Sequence, residues 1–178
     1  MVITKTSIQG LVIIEPKVYK DERGYFMESF KDSFIREKFP NIQFIQDNES
    51  KSSYGVLRGL HFQKPPYEQT KLVRVIEGEI LDVAVDLRKK STSFSKWESV
   101  ILSGKNKKQF FIPRGFAHGF VVLSDKAIVS YKVDSPYSLE HESGIIYDDN
   151  KLEINWIIPK SDLILSEKDL KLKTLITT

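Results

Sequence analysis

The sequence predicts an all-β fold: one antiparallel domain, a sandwich or barrel, trimmed with a few short helices. Apolar residues come in brief runs rich in Val, Ile and aromatics, and Gly, Pro, Asn, Asp or Ser separates these runs at hairpin-like spacing. Helical periodicity is scarce, which argues against a parallel α/β sheet with its alternating long helices. The 178 residues, 40% hydrophobic and 11% aromatic, suffice for a single core, so residues 1–178 are read as one domain.

Taken in order, strands are predicted at Leu11 to Ile14, Tyr25 to Ser29, Gln43 to Gln46, Val56 to Gln63 and Leu72 to Ile76. Five more follow at Ile80 to Leu87, Trp97 to Leu102, Gln109 to Ile112, Gly119 to Leu123 and Ile128 to Val133. Glu77-Gly78-Glu79 and Ser103-Gly104-Lys105-Asn106 are turns. In the run from Ile80, Leu81, Val83, Val85 and Leu87 alternate with Ile80, Asp82, Ala84 and Asp86, so the second face must be wet or functional. A short helix is expected over Asp32 to Lys38, with Phe30, Phe34 and Ile35 as its apolar stripe. Ser166-Glu167-Lys168-Asp169 has the form of a capped final helical turn. No repeat, linker or low-complexity tract interrupts the pattern.

Composition excludes several classes of function. With no cysteine, disulfides, thiolate metal sites and cysteine nucleophiles are ruled out. No apolar run is long enough for a membrane span, and Lys5 and Glu15 interrupt what a signal peptide would need, so a cytoplasmic protein is expected. The net charge of +3 is interspersed, apart from small groups such as Arg88-Lys89-Lys90. That is too sparse for a nucleic-acid surface but adequate for a local pocket that takes a phosphorylated small molecule.

Two of the three histidines sit in the segments Arg58-Gly59-Leu60-His61-Phe62-Gln63 and Pro113-Arg114-Gly115-Phe116-Ala117-His118-Gly119-Phe120. Histidine is the side chain suited to proton transfer near neutral pH, and a pair placed so sparingly, among Gly, basic and aromatic residues, points to a catalytic pocket. The layout resembles the cupin superfamily of double-stranded β-helix (jelly-roll) barrels, with Pro113, Gly115 and His118 fitting its second motif. Metal-binding cupins usually carry a second histidine where this chain has Gln63, so no metal is expected.

The resemblance sharpens along nearly the whole chain. Asp21-Glu22-Arg23-Gly24, Gln46-Asp47-Asn48, Arg58 to Gln63, Lys71-Leu72-Val73-Arg74, Asp82 to Arg88, Ile112 to Phe120, Tyr131-Lys132 and Leu165 to Asp169 together resemble the dTDP-4-dehydrorhamnose 3,5-epimerases. That family implies inversion of two carbons beside a ketone by proton removal and return through an enolate, which needs no cofactor. It implies His61 as the base, Asp169 as its carboxylate partner, Lys71 beside the enolate oxygen and Tyr131 as the acid on the opposite face. For binding it implies Arg23, Glu28, Gln46, Asn48, Arg58, His118, Glu142 and Lys168, with Tyr137 stacking on the nucleotide base. Arg23 and Arg58 are the candidates for the diphosphate, which suits the guanidinium fork. The implied partners are a nucleotide-sugar substrate and a second copy of the chain. The homodimer would pair through the N-terminal strands, where the apolar Leu11 to Ile14 needs covering.

The residues taken alone leave other readings open. His118 could equally orient a loop, and His141, between Glu140 and Glu142, reads as a surface residue. Asp169 with Ser166 would complete a helix cap. Lys71 and Arg74 could face solvent, Tyr131 could be core, and Asp82 reads as a structural polar partner. In a regular strand Arg58 and His61 point to opposite faces, so both reach one pocket only if Gly59 bends or bulges the strand, or if Arg58 serves another subunit. The alternatives in function are an epimerase of another nucleotide-linked 4-keto sugar, a metal-dependent cupin, and a non-catalytic sugar-binding module.

Overall fold

Short β-branched and aromatic runs can bury two faces only by stacking sheets, and the computed structural model, which describes residues 1–175, does this. Its strands are β1 Val2–Lys5, β2 Val12–Glu15, β3 Val18–Asp21, β4 Gly24–Met27, β5 Gln46–Ser53, β6 Leu57–Gln63 and β7 Lys71–Glu77. The others are β8 Glu79–Asp86, β9 Trp97–Ser103, β10 Gln109–Ile112, β11 Phe116–Val122, β12 Lys126–Val133 and β13 Glu142–Gly144. Two helices, α1 Asp32–Lys38 and α2 Glu167–Leu170, complete the inventory together with two single 3-10 turns.

A six-stranded sheet, β1-β2-β10-β7-β12-β5, faces a five-stranded one, β13-β6-β11-β8-β9, and the pairings are antiparallel throughout. Between them lies the central core: Val73, Val75, Phe110, Ile112 and Val129 from one sheet meet Ile80, Ala84, Leu102, Phe116, Phe120 and Val122 from the other. The outer face of the five-stranded sheet is covered too. There Leu57, Leu60, Leu81, Val83, Val85, Ala117 and Val121 pack under Ile145, Tyr147, Leu152 and Trp156 of the C-terminal segment. On the outside of the other sheet, α1 lays Ile35 against Val12, Ile14, Leu72 and Phe111, with Phe30 and Phe34 alongside.

Covering both faces alters the reading of β8. Its alternation does not separate a dry face from a wet one, because every residue from Ile80 to Asp86 is buried. Asp82 and Asp86 survive inside because each has partners, as buried carboxylates require. Asp86 accepts from the Arg88 guanidinium, the Arg88 backbone N–H and the Ser91 and Ser93 hydroxyls. Burial alone would raise its pKa, but these bonds outweigh it and hold the carboxyl at about 2.

Three further departures have physical causes. The segment Leu11 to Ile14, expected to seek cover from a second copy, is buried by its own chain, with Leu11 in the central core and Val12 and Ile14 under α1. β1 and β3 were not predicted: β1 is mostly exposed, and β3 is one strand of a separate, largely exposed hairpin with β4. The strand predicted at Gln43 to Gln46 instead begins at Gln46 and runs to Ser53 along the edge beside β12. Its composition, QDNESKSS, carries no apolar alternation because it meets solvent and cavity rather than core.

Candidate active site

A cavity of about 640 Å³ opens between the two sheets, lined by side chains of β5, β6, β7, β11, β12 and the segment leading into α2. Its geometry depends on an irregularity in β6. Along the β6–β11 pair, His61 lies opposite His118 and Arg58 lies opposite Phe120, so Gly59 and Leu60 together face the single residue Gly119. That extra residue is a bulge, and it turns Arg58 and His61 onto the same side while Leu57 and Leu60 both go to the outer core. Gly59 permits it on two counts. Its φ is +120°, and a Cβ there would stand 2.6 Å from the Cα of Gly119 and 2.7 Å from the carbonyl oxygen of His118. The bend at Gly59 required for a shared pocket is therefore present.

His61 places Nε2 2.6 Å from Oδ1 of Asp169, which rides on α2, 108 residues further along the chain. The imidazole is 30% exposed and the carboxylate 5%, so the ring is accessible while its partner is shielded. Burial would raise the Asp169 pKa, but hydrogen bonds from His61, the Ser166 hydroxyl and the Gly59 backbone N–H bring it below the ordinary value. Asp169 makes both contacts at once: its backbone N–H donates to Ser166 Oγ at 3.1 Å, as a cap demands, and its carboxylate meets the histidine. With Nε2–H donated to the carboxylate, Nδ1 carries the lone pair.

A second His–Asp pair stands beside the first. His118 is 8% exposed and Asp82 0%, with Nε2 at 2.9 and 3.0 Å from the two carboxylate oxygens. Burial lowers the His118 pKa despite the neighbouring Asp82. His118 thus lines the cavity while Asp82 holds its ring.

From the facing sheet come Lys71, the first residue of β7, and Tyr131 of β12. Burial pushes the Lys71 ammonium down to about 8, with Asp82 and Glu142 partly offsetting it. Burial raises the Tyr131 phenol, and the Arg58 charge acts against this. His61 and Tyr131 therefore project into one cavity from opposite sheets, with the partly buried Lys71 in the lining on the Tyr131 side.

The predicted binding residues divide into three sets. Arg58, with Nε on Ser52 Oγ at 3.1 Å, Asn48, His118 and Lys168 all line the cavity. Gln46, Glu142 and Tyr137 are tied to that lining: Gln46 Nε2 donates to Asn48 Oδ1 at 2.8 Å, Lys168 Nζ pairs with Glu142 Oε1 at 2.6 Å, and the Tyr137 hydroxyl donates to Glu142 Oε2 at 2.9 Å. Arg23 and Glu28 do not reach the cavity of their own chain. Arg23 sits at the tip of the β3–β4 hairpin, 90% exposed and paired with Asp21, while Glu28 pairs with Lys31 at 3.2 Å. Sequence reasoning missed Glu49, Ser50 and Phe120 as lining residues, and Ser52 as the support of Arg58, since nothing in a polar strand or a core phenylalanine marks them. Gln63, at the position where metal-binding relatives place a ligand, instead accepts from the Ser138 N–H and lines a different cavity. Among the described residues no three His, Asp or Glu side chains are grouped as a metal ion would require.

Comparison with known proteins agrees with this geometry. The family model described as dTDP-4-dehydrorhamnose 3,5-epimerase matches residues 5–176. A relative of that name from Methanothermobacter thermautotrophicus is 55% identical over 172 residues, covering 96% of this chain and 92% of its own. The crystal structure of a dTDP-4-dehydrorhamnose 3,5-epimerase from Elizabethkingia anophelis superposes with a TM-score of 0.96 at 50% identity, covering 100% of this chain and 98% of its own. A Legionella pneumophila dTDP-6-deoxy-D-glucose-3,5-epimerase, solved with dTDP-4-keto-L-rhamnose, superposes at 0.94 with 49% identity, covering 98% of this chain and 93% of its own. These matches extend over the jelly-roll barrel from end to end, and the chain belongs to the dTDP-4-dehydrorhamnose 3,5-epimerase family.

Proposed function

We propose that the protein inverts C3 and C5 of dTDP-4-dehydro-6-deoxy-D-glucose to give dTDP-4-dehydro-L-rhamnose. The observation that carries this reading is the pair His61 and Tyr131 entering one cavity from opposite sheets, with Lys71 beside them. Inversion next to a ketone requires a base on one face of the ring and an acid on the other. His61 takes the C–H proton at Nδ1, and Asp169 holds the ring and stabilises the imidazolium that forms. The electron pair moves to the C4 oxygen, where the Lys71 ammonium meets the developing negative charge. Burial has already removed part of the water around Lys71, so less must reorganise as that charge appears. Tyr131 then donates its phenolic proton to the opposite face, and exchange with solvent resets both groups. Two such rounds invert two carbons, with no electron gained or lost overall.

Arg58 and Lys168 bind the diphosphate, Asn48, Gln46 and His118 hold the sugar side, and Tyr137 with Glu142 receives the base. Arg23 and Glu28 are assigned to the cavity of a second copy in a homodimer, since the hairpin that carries Arg23 and ends beside Glu28 exposes Tyr19, Tyr25 and Phe26 and contributes no lining residue to its own cavity. No helix among the described residues is long and apolar enough to cross a membrane, and the reading places the enzyme in the cytoplasm. The test is turnover of the keto sugar nucleotide in deuterated water, followed by NMR. Deuterium is expected at both C3 and C5, label at C3 alone would make it a single-centre epimerase, and label at neither position ends the reading.

A further inference from the structure

The base partner Asp169 lies on a helix of four residues, too short to be stable by itself. Backbone bonds hang this turn at two points. On one side Ile164 pairs with Gly55 and Leu57, and on the other Ile146 donates to Lys173. Between these anchors, beside the backbone bond from Leu170 N–H to the Ser166 carbonyl, the side-chain cap runs from the Asp169 N–H to Ser166 Oγ at 3.1 Å. It therefore fixes the same residue whose carboxylate, 5% exposed, stands 2.6 Å from His61. Ser166 also lines the cavity, at its rim, and the chemistry described above gives it no part.

We propose that Ser166 is a positioning residue for the base: as the N-cap of α2 it holds the turn in the one conformation that presents Asp169 to His61. This rests on the reading of His61 as the proton acceptor. The Ser166 hydroxyl serves the carboxylate through the backbone N–H of Asp169, which it accepts at 3.1 Å. Without it, three of the groups that keep Asp169 in place reduce to His61 and the Gly59 N–H, and the turn can fray toward solvent, carrying the carboxylate off the ring.

The experiment compares the wild type with Ser166→Ala and Ser166→Thr by turnover and by the downfield proton resonance of the His61 ring N–H bonded to Asp169, assigned through its loss in Asp169→Asn. The buried His118–Asp82 resonance serves as the internal control, because it lies off the turn. Ser166→Ala is expected to broaden or shift the His61 resonance while the control stays in place, and to lower kcat by about twofold to thirtyfold, the range a lost N-cap corresponds to, with KM within about twofold. Ser166→Thr should restore both. Should Ser166→Ala fold poorly, Ser166→Gly keeps a backbone tolerated at N-caps while still removing the hydroxyl, and the same loss of the His61 signal is expected. An unshifted His61 resonance in the folded variant overturns the proposal, whether or not kcat falls. The failure of the base assignment is separately visible, as turnover retained in His61→Ala, and leaves the resonance comparison intact.

Discussion

Replacing Lys71 by methionine should make the protein more stable and the catalyst worse. Burial brings the Lys71 pKa from 10.5 to about 8, so the charged form in the folded state is penalised by at most roughly 3 kcal/mol relative to the unfolded chain. The sign follows from proton counting. Below pH 8 both states hold the proton and the full penalty applies. Between 8 and 10.5 the unfolded chain binds more protons than the folded one, so wild-type stability rises with pH until the penalty is gone. Methionine fills similar space without charge, and its own packing contribution does not vary with pH. Urea unfolding at pH 7 and at pH 10 should therefore find the variant ahead at pH 7, by up to about 3 kcal/mol, with most of that lead lost at pH 10. The same substitution removes the cation that meets the enolate oxygen, and kcat should fall by about a hundredfold to a thousandfold. A stability difference that stays constant between the two pH values would refute the desolvation argument. A kcat within a few-fold of wild type would refute the role given to the cation.

Three other outcomes are expected. Tyr131→Phe removes the acid but leaves the base, so deuterium should exchange into substrate with retained configuration while inversion slows by about 10² to 10⁴, as read by NMR; full inversion would remove Tyr131 from the mechanism. Gly59→Ala forces a side chain into φ +120° and against the Gly119 backbone, so thermal unfolding should register a loss of about 1–3 kcal/mol or more, together with a fall in kcat as the bulge shifts; an unchanged Tm would show that the strand relaxes freely. If the hairpin serves a second copy, Arg23→Ala and His61→Ala, each impaired as a homodimer, should regain activity when mixed and re-equilibrated, because one cavity of the mixed dimer then has both wild-type residues. Absence of complementation in a dimer verified by light scattering would assign Arg23 elsewhere.

Most of the β architecture is legible from local pattern, because core strands such as Leu72 to Ile76 and Gln109 to Ile112 declare themselves by short apolar runs rich in Val, Ile and Phe, as strands covered on both faces must. The edges are not legible. β5 is entirely polar by composition, and β1 and the β3–β4 hairpin lie where burial imposes no rule on sequence. In the site, the histidine motifs mark His61 and His118, but their partners are unmarked. Asp82 looks like any polar residue on a strand, and Asp169 like a helix cap, until the fold brings each onto an imidazole.

By itself, then, the chain determined the all-β class, the scarcity of helix, the absence of thiol chemistry and the family, since these depend on residue type and short-range spacing. Only the tertiary structure decided that one extra residue in β6 turns Arg58 and His61 to the same side, that the two aspartates of β8 are buried rather than wet, and that Arg23 and Glu28 stand outside their own cavity. The reason is that a strand's facing and a carboxylate's partner are set by register and packing across residues far apart in sequence, where a shift of one position reverses every side chain.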